Sequence, residues 1–286
     1  MQATGLLLDI QILYNKFTKT EKKIADYVLK NTNQVLFMSI TELADACQAA
    51  EATVFRFCRS LGAKGYQEFK MKLSLCLAAE DTEQSEAQKS AQAETPSLQS
   101  EMSRILESHI SALRETHSLL DQNNVDKILE MMEKAKRIYF FGIGDSLLTA
   151  MEARNKFLRI MDKVSCVDDP HMQAMTASMA TPDDLYFIIS FSGATKDTVY
   201  VADILKEVGA KMVAITRFAK SPLTTYADGV LLCGCNEGPL EGGSMGAKLS
   251  QLYIIDILFC EYYRRNYAVS AENNRRTSKA VVEKLY

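Results

Sequence analysis

Between Arg137 and Leu232 five short apolar runs, RIYFFGI, KVSCV, LYFIIS, KMVAIT and GVLL, alternate with stretches of helical periodicity. That alternation leaves the chain few options. Runs that are apolar at nearly every position have to be covered on both faces, and the helical segments between them are long enough to cross back over a sheet, so successive strands lie parallel. The predicted architecture is an α/β three-layer sandwich with a five-stranded parallel sheet in the order 2-1-3-4-5. Sheets of this kind take ligands beyond the carboxyl ends of the strands, where the winding direction reverses, here between the first and third strands.

The two loops at that point are rich in glycine and hydroxyl groups. The first strand ends in Gly142-Ile143-Gly144-Asp145-Ser146 and the third in Ser190-Phe191-Ser192-Gly193-Ala194-Thr195. Each leads into a helix whose first amides are unpaired and whose dipole favours an anion. Glycine lets the backbone approach a ligand, and Ser or Thr hydroxyls add donors. Taken singly, either loop also reads as an ordinary helix start, with Ser192 and Thr195 as caps and Gly144 as a turn residue. Their convergence on one crevice favours a phosphate monoester. GIGDS is no dinucleotide fingerprint, because Leu147 stands where the last glycine would be, and no Walker-type GK[ST] sequence is present.

The first part of the chain has a different character. Residues 1–79 hold ten Lys or Arg against seven Asp or Glu, a net of +3, so the remainder carries −6 of the total of −3. Four short helical patterns follow one another here. In TEKKIADYVLKNTN, Thr20 is the expected N-cap; Ser39-Ile40-Thr41-Glu42 is a capping-box pattern that opens a short helix. A turn at Gln48-Ala49-Ala50 leads into a helix from about Ala50 to Leu61. Its apolar stripe of Val54, Phe57, Cys58 and Leu61 leaves Glu51, Thr53, Arg56 and Arg59 pointing elsewhere, with Lys64, Lys70 and Lys72 beyond. Two short helices with an exposed basic second member form a helix-turn-helix candidate for duplex DNA. The polar stretch EDTEQSEAQKSAQAETPSLQS then separates two domains, either as a linker or as one exposed helix from Met71 through Gln92. The expected division is 1–79, a linker over 80–100, and 101–286.

ITELADACQAAEATVFRFCRSLGAKGYQEFK resembles the N-terminal helix-turn-helix of the RpiR family of bacterial transcriptional regulators, and SFSGATKDT with GAKMVAITRFAKSPLTTYAD is similar to the sugar isomerase (SIS) fold of their C-terminal half. The resemblance implies an all-α DNA-binding domain followed by a flavodoxin-like phosphosugar-binding domain. It implies DNA contacts from Thr53, Arg56, Arg59, Lys64 and Tyr66. It also implies phosphate or sugar contacts from Gly144, Ser146, Ser190, Ser192, Gly193, Thr195 and Lys248, while the glycine-rich loop NEGPLEGGSMG offers Glu237 to a sugar hydroxyl. The chain departs from the family pattern in three places: Gln48-Ala49-Ala50 where Gly-Val-Ser is usual, Ala194 where an acidic residue is common, and Lys248 for arginine.

The SIS fold also hosts isomerases, whose proton transfers need a positioned carboxylate or histidine. His171, Glu237 and Glu241 are the candidates, while His109 and His117 lie in a helical region. The attached helix-turn-helix favours a sensor over an enzyme, and no catalytic residue, metal or cofactor is assigned. A phosphosugar isomerase with a degenerate N-terminal domain is the alternative. The seven cysteines lack paired CxxC spacing and read as reduced packing residues, including Cys233 and Cys235. The N-terminus has no basic signal start and no run reaches the roughly 18 apolar residues of a membrane span, so a cytoplasmic protein is expected. The expected partners are an operator duplex, a phosphorylated sugar and a second copy of the chain, as dimer or tetramer, associating through apolar helices around Leu106, Leu113, Leu120 and 252–259. The closing run NNRRTSKAVVEKLY reads as an exposed charged tail or as a basic, partner-contacting helix.

Overall fold

The computed structural model describes residues 5–88, 97–235, 245–282 and Lys284. The chain divides into two compact units, with the division between Glu107 and Ser108.

The first unit is helical: α1 (Leu6–Leu13), α2 (Lys19–Lys30), α3 (Thr32–Leu36), α4 (Ile40–Ala46), α5 (Glu51–Ser60) and α6 (Tyr66–Gln88). The N-cap of α2 is Thr18, two residues before the expected one. Thr18 accepts from the Glu21 amide at 3.4 Å while the Glu21 carboxylate accepts from the Thr18 amide at 2.9 Å. This reciprocal box satisfies two amides, whereas Thr20 falls inside the first turn. The box predicted at Ser39 and Glu42 is present at the start of α4. Ile24, Val28, Leu43, Val54, Phe57 and Phe69 are fully buried together. The Phe57 ring lies 5.2 Å from that of Phe17 and 5.9 Å from that of Phe69, both within the range of favourable aromatic pairs. Of the expected linker, residues 80–88 belong to α6, and residues 89–96 lie outside the described residues.

α7 (Leu98–Leu119) and α8 (Gln122–Lys134) precede the sheet, followed by β1 (Arg137–Gly142), α9 (Asp145–Phe157), β2 (Val164–Cys166), α10 (Pro170–Ser178), β3 (Asp184–Ile189), α11 (Lys196–Val208), β4 (Lys211–Thr216), β5 (Gly229–Leu232), α12 (Met245–Arg265) and α13 (Tyr267–Val282). All five strands are parallel in the order β2-β1-β3-β4-β5, as the sequence predicts. Strand alternation sorts the core into two layers. Ile138, Phe140, Leu185, Phe187, Val213 and Ile215 pack against α8, α9 and α12. Phe141, Tyr186, Ile188, Met212 and Ala214 pack on the other face against α10 and α11. Residues 273–282 of the C-terminal run belong to a helix, α13, and not to a tail. It is anchored to the end of α9 by Asn273 donating to the Ile160 carbonyl at 2.9 Å and Thr277 to that of Arg159 at 3.0 Å. These bonds satisfy carbonyls of the turn that follows α9. No helix among the described residues is long and apolar enough to cross a membrane.

Candidate functional site

β1 and β3 are neighbours in register, Gly142 opposite Ile189, so the loops after them leave the same edge of the sheet side by side. Gly142 is required by close approach: a Cβ there would fall 2.6 Å from the Ser146 carbonyl oxygen, inside the first turn of α9. Gly144 is required by conformation alone, since it is the N-cap at φ 60° and ψ −128° with open space around its Cα. No side chain caps α9. Its first amides, with the half-buried Ser146 hydroxyl among them, therefore have no side-chain acceptor among the described residues.

The β3 loop is a tight, braced turn. The Ser190 amide donates to Ile215 at 3.0 Å and that of Gly193 back to Ser190 at 3.1 Å, while the Gly193 carbonyl accepts from Leu223 at 2.9 Å. Gly193 has φ +59°, and a Cβ would sit 2.2 Å from the Ser221 hydroxyl, so both backbone and space demand glycine. Ser190 is buried; Ser192 accepts from the Ala194 amide at 3.3 Å. Thr195 occupies the N-cap position of α11 without a side-chain cap bond. α10, the helix after β2, is different: the Asp169 carboxylate accepts from the Met172 amide at 2.9 Å and fills that helix start with negative charge. Of the three helices that follow β1, β2 and β3, the two at the winding reversal have an N-cap residue that makes no side-chain cap bond, and the third is capped by a carboxylate.

α12 contributes Lys248, whose ammonium lies 3.1 Å from the Asp145 carboxylate at the first position of α9. The structure thus brings Gly144, Ser146 and Lys248 to one helix start and Ser190, Ser192, Gly193 and Thr195 to the next. Glu237 and Glu241 lie outside the described residues. His171 is almost wholly exposed in the first turn of α10, 4.0 Å from Asp169, and His117 meets the Tyr253 hydroxyl at 3.0 Å on α7. Cys233 is buried, and burial pushes its thiol up to about 12; no group of metal-ligating side chains occurs among the described residues.

Sequence reasoning missed Gln173. Its buried amide donates to the Gly142 carbonyl at 3.0 Å and to that of Val167 at 2.8 Å, tying the ends of β1 and β2 together. A lone amide among the apolar residues of α10 was the available signal.

In the helical unit, the turn between α4 and α5 passes through Gln48 at φ 51°, the left-handed region. Ala50 caps α5 without a side-chain bond, and Glu51 accepts instead from the Thr41 hydroxyl of α4. Arg56, Arg59 and Lys64 are exposed. Thr53 is not part of that surface: it is 9% exposed and its hydroxyl accepts from Arg56 at 3.2 Å. Two further residues expected on the basic face are core. Tyr66 is 6% exposed and donates its hydroxyl to the carbonyls of Val35 and Met38, so its side chain is spent on the end of α3. Lys70 is equally buried, with its ammonium donating to Met38 at 3.1 Å.

Comparison with known proteins matches residues 4–80 to the helix-turn-helix domain of the rpiR family and residues 131–260 to the SIS domain. An HTH-type transcriptional regulator of Haemophilus influenzae is 35% identical over 289 residues, 99% of both chains. The HTH-type transcriptional regulator HexR of Pseudomonas aeruginosa is 33% identical, covering 99% of this chain and 97% of its own. Among solved structures, the Vibrio vulnificus NanR protein complexed with ManNAc-6P superposes with a TM-score of 0.85 at 29% identity, covering 98% of this chain and 99% of that one.

Proposed function

The chain belongs to the RpiR family of helix-turn-helix transcriptional regulators, and on that premise we propose that its SIS domain senses a phosphorylated sugar and that ligand binding alters its hold on operator DNA. The observation that carries the ligand is the pair of helix starts without side-chain caps, on α9 and α11, at adjacent strand ends. The phosphate sits between them, taking amides of both first turns and hydroxyls of Ser146, Ser190, Ser192 and Thr195. Lys248 turns from Asp145 to the ligand, and Glu237 binds a sugar hydroxyl. DNA is held by Arg56, Arg59 and Lys64 from a module that ends near residue 79, and the sensor begins near residue 101.

The protein works in the cytoplasm as a dimer or tetramer, since matched half-sites need paired helix-turn-helix modules. The sugar acts by binding two arrangements of those modules unequally. A sensor is preferred to an isomerase because the relatives that match over nearly the whole chain are transcriptional regulators.

Thermal unfolding with a panel of phosphosugars, each beside its unphosphorylated parent, tests this reading. ManNAc-6P heads the panel because the Vibrio vulnificus relative carries it. One phosphorylated compound at about 100 times its Kd is expected to stabilise the protein by roughly 2.7 kcal/mol while its parent sugar does nothing. The same compound is expected to change the affinity for operator DNA. Turnover of that compound into another sugar phosphate would instead support the isomerase.

A further inference from the structure

The outward stripe of α5 consists of Ala52, Phe55, Arg56 and Arg59, while Thr53, Val54, Phe57 and Cys58 face the core. A phenylalanine in that stripe is out of place for a solvated helix. Phe55 remains 45% exposed, whereas Phe57 two positions on has no exposure at all. The ring is also held in position. A Cβ on Gly65 would lie 3.4 Å from its Cε2 and 3.9 Å from its Cδ2, so the ring edge rests on the turn before α6. It therefore shares the exposed face of α5 with Arg56 and Arg59 and touches the turn that carries Lys64, on a surface whose charge suits a phosphate-lined groove.

We propose that Phe55 is a specificity-determining residue that reads the C5-methyl group of a thymine in the major groove. The inference rests on the DNA-binding reading above. Phe55 has no donor or acceptor to offer a base edge, and the thymine methyl is the apolar feature that the major groove presents. Arg56, the next residue, and Arg59, one turn on along the same face, supply the polar contacts that a phenyl ring cannot.

The test begins with selection of binding sites for the full chain from a random duplex pool. Each thymine of the recovered site is then replaced by deoxyuracil, which lacks the methyl and keeps every hydrogen-bonding group. The wild type is expected to lose affinity about fourfold per half-site at one thymine position, the transfer value of one buried methyl group. Phe55→Ala should bind the thymine and uracil versions equally while keeping its preferences elsewhere in the site. Phe55→Leu, which retains an apolar side chain, should keep a smaller difference and stands in if the alanine variant does not fold. A selected site at which wild type ignores every uracil replacement would overturn the role of Phe55 and leave DNA binding intact. Retention of the full difference by Phe55→Ala would do the same, assigning the ring to packing on Gly65. A pool that yields no preferred sequence would remove the DNA-binding reading itself, and this inference with it.

Discussion

Gln48 is the one non-glycine residue among the described residues with a positive φ, 51°. The left-handed region crowds a Cβ against the backbone, and the bond Gln48 offers in return is a long one, 3.5 Å from the Lys23 ammonium. Replacing Gln48 by glycine is therefore expected to raise the stability of the helical unit by about 1 kcal/mol, measurable by chemical denaturation. An unchanged or lower stability would mean that the amide of Gln48 contributes more than its geometry indicates. The position was legible in the sequence as a departure from the family turn, and the outcome is that the chain keeps the turn conformation without the glycine. Gly193 was legible in a weaker sense. Its place in SFSGATKDT marks it as a cradle residue, but the reason no other residue fits is Ser221, twenty-eight positions away in sequence. Thr53, Tyr66 and Lys70 show the opposite failure. Periodicity identifies which face of a helix is apolar; it is silent on which polar residues another element will cover.

At the scale of the element, the informative contrast is between helix starts that look alike in sequence. Asp169 caps α10 with its carboxylate, while Thr195 stands at the same position of α11 and makes no cap bond. Asp169→Ala should therefore cost about 1 kcal/mol of stability, as losses of N-caps commonly do. Thr195→Val should leave the stability of the free protein within about 0.5 kcal/mol and abolish most of the stabilisation given by the phosphosugar. Denaturation of both variants, with and without ligand, checks the pair. If Thr195→Val destabilised the free protein as much as Asp169→Ala, the β3 loop would be an ordinary helix start.

Across the whole molecule, buried titratable groups set the response to alkali, with two opposing signs. Burial lowers the Lys70 ammonium from 10.5 to about 8. The unfolded chain then binds the proton more tightly than the native one between those values, so stability rises with pH in that window. Burial raises the thiols of Cys47 and Cys166 to about 11 and those of Cys58 and Cys233 to about 12, from 9.0. Native thiols keep their protons where unfolded ones lose them, so above about pH 9 stability falls. Thermal scans of the full chain are expected to show the helical unit gaining stability between about pH 8 and 9 and both units losing it at higher pH. Lys70→Met should lack the initial rise. Tyr66 also donates to the Met38 carbonyl, so that variant leaves no orphaned acceptor.

The two-module plan, the strand order and the two loops that meet at the winding reversal were all legible along the chain. Each of these follows from local periodicity and from the handed, parallel connection of consecutive strands. Tertiary structure alone decided which helix starts stay open and which are closed. A cap is a hydrogen bond that either forms or does not at a given backbone geometry, and the residues at Asp169 and Thr195 are both good caps by type. It likewise decided that Lys248, 103 residues from Asp145, shares its site, that Tyr66 and Lys70 serve the end of α3, and that Phe55 stays on the surface. Burial of a polar or aromatic side chain depends on which distant segment packs over it, and that information lies in no local stretch of the chain.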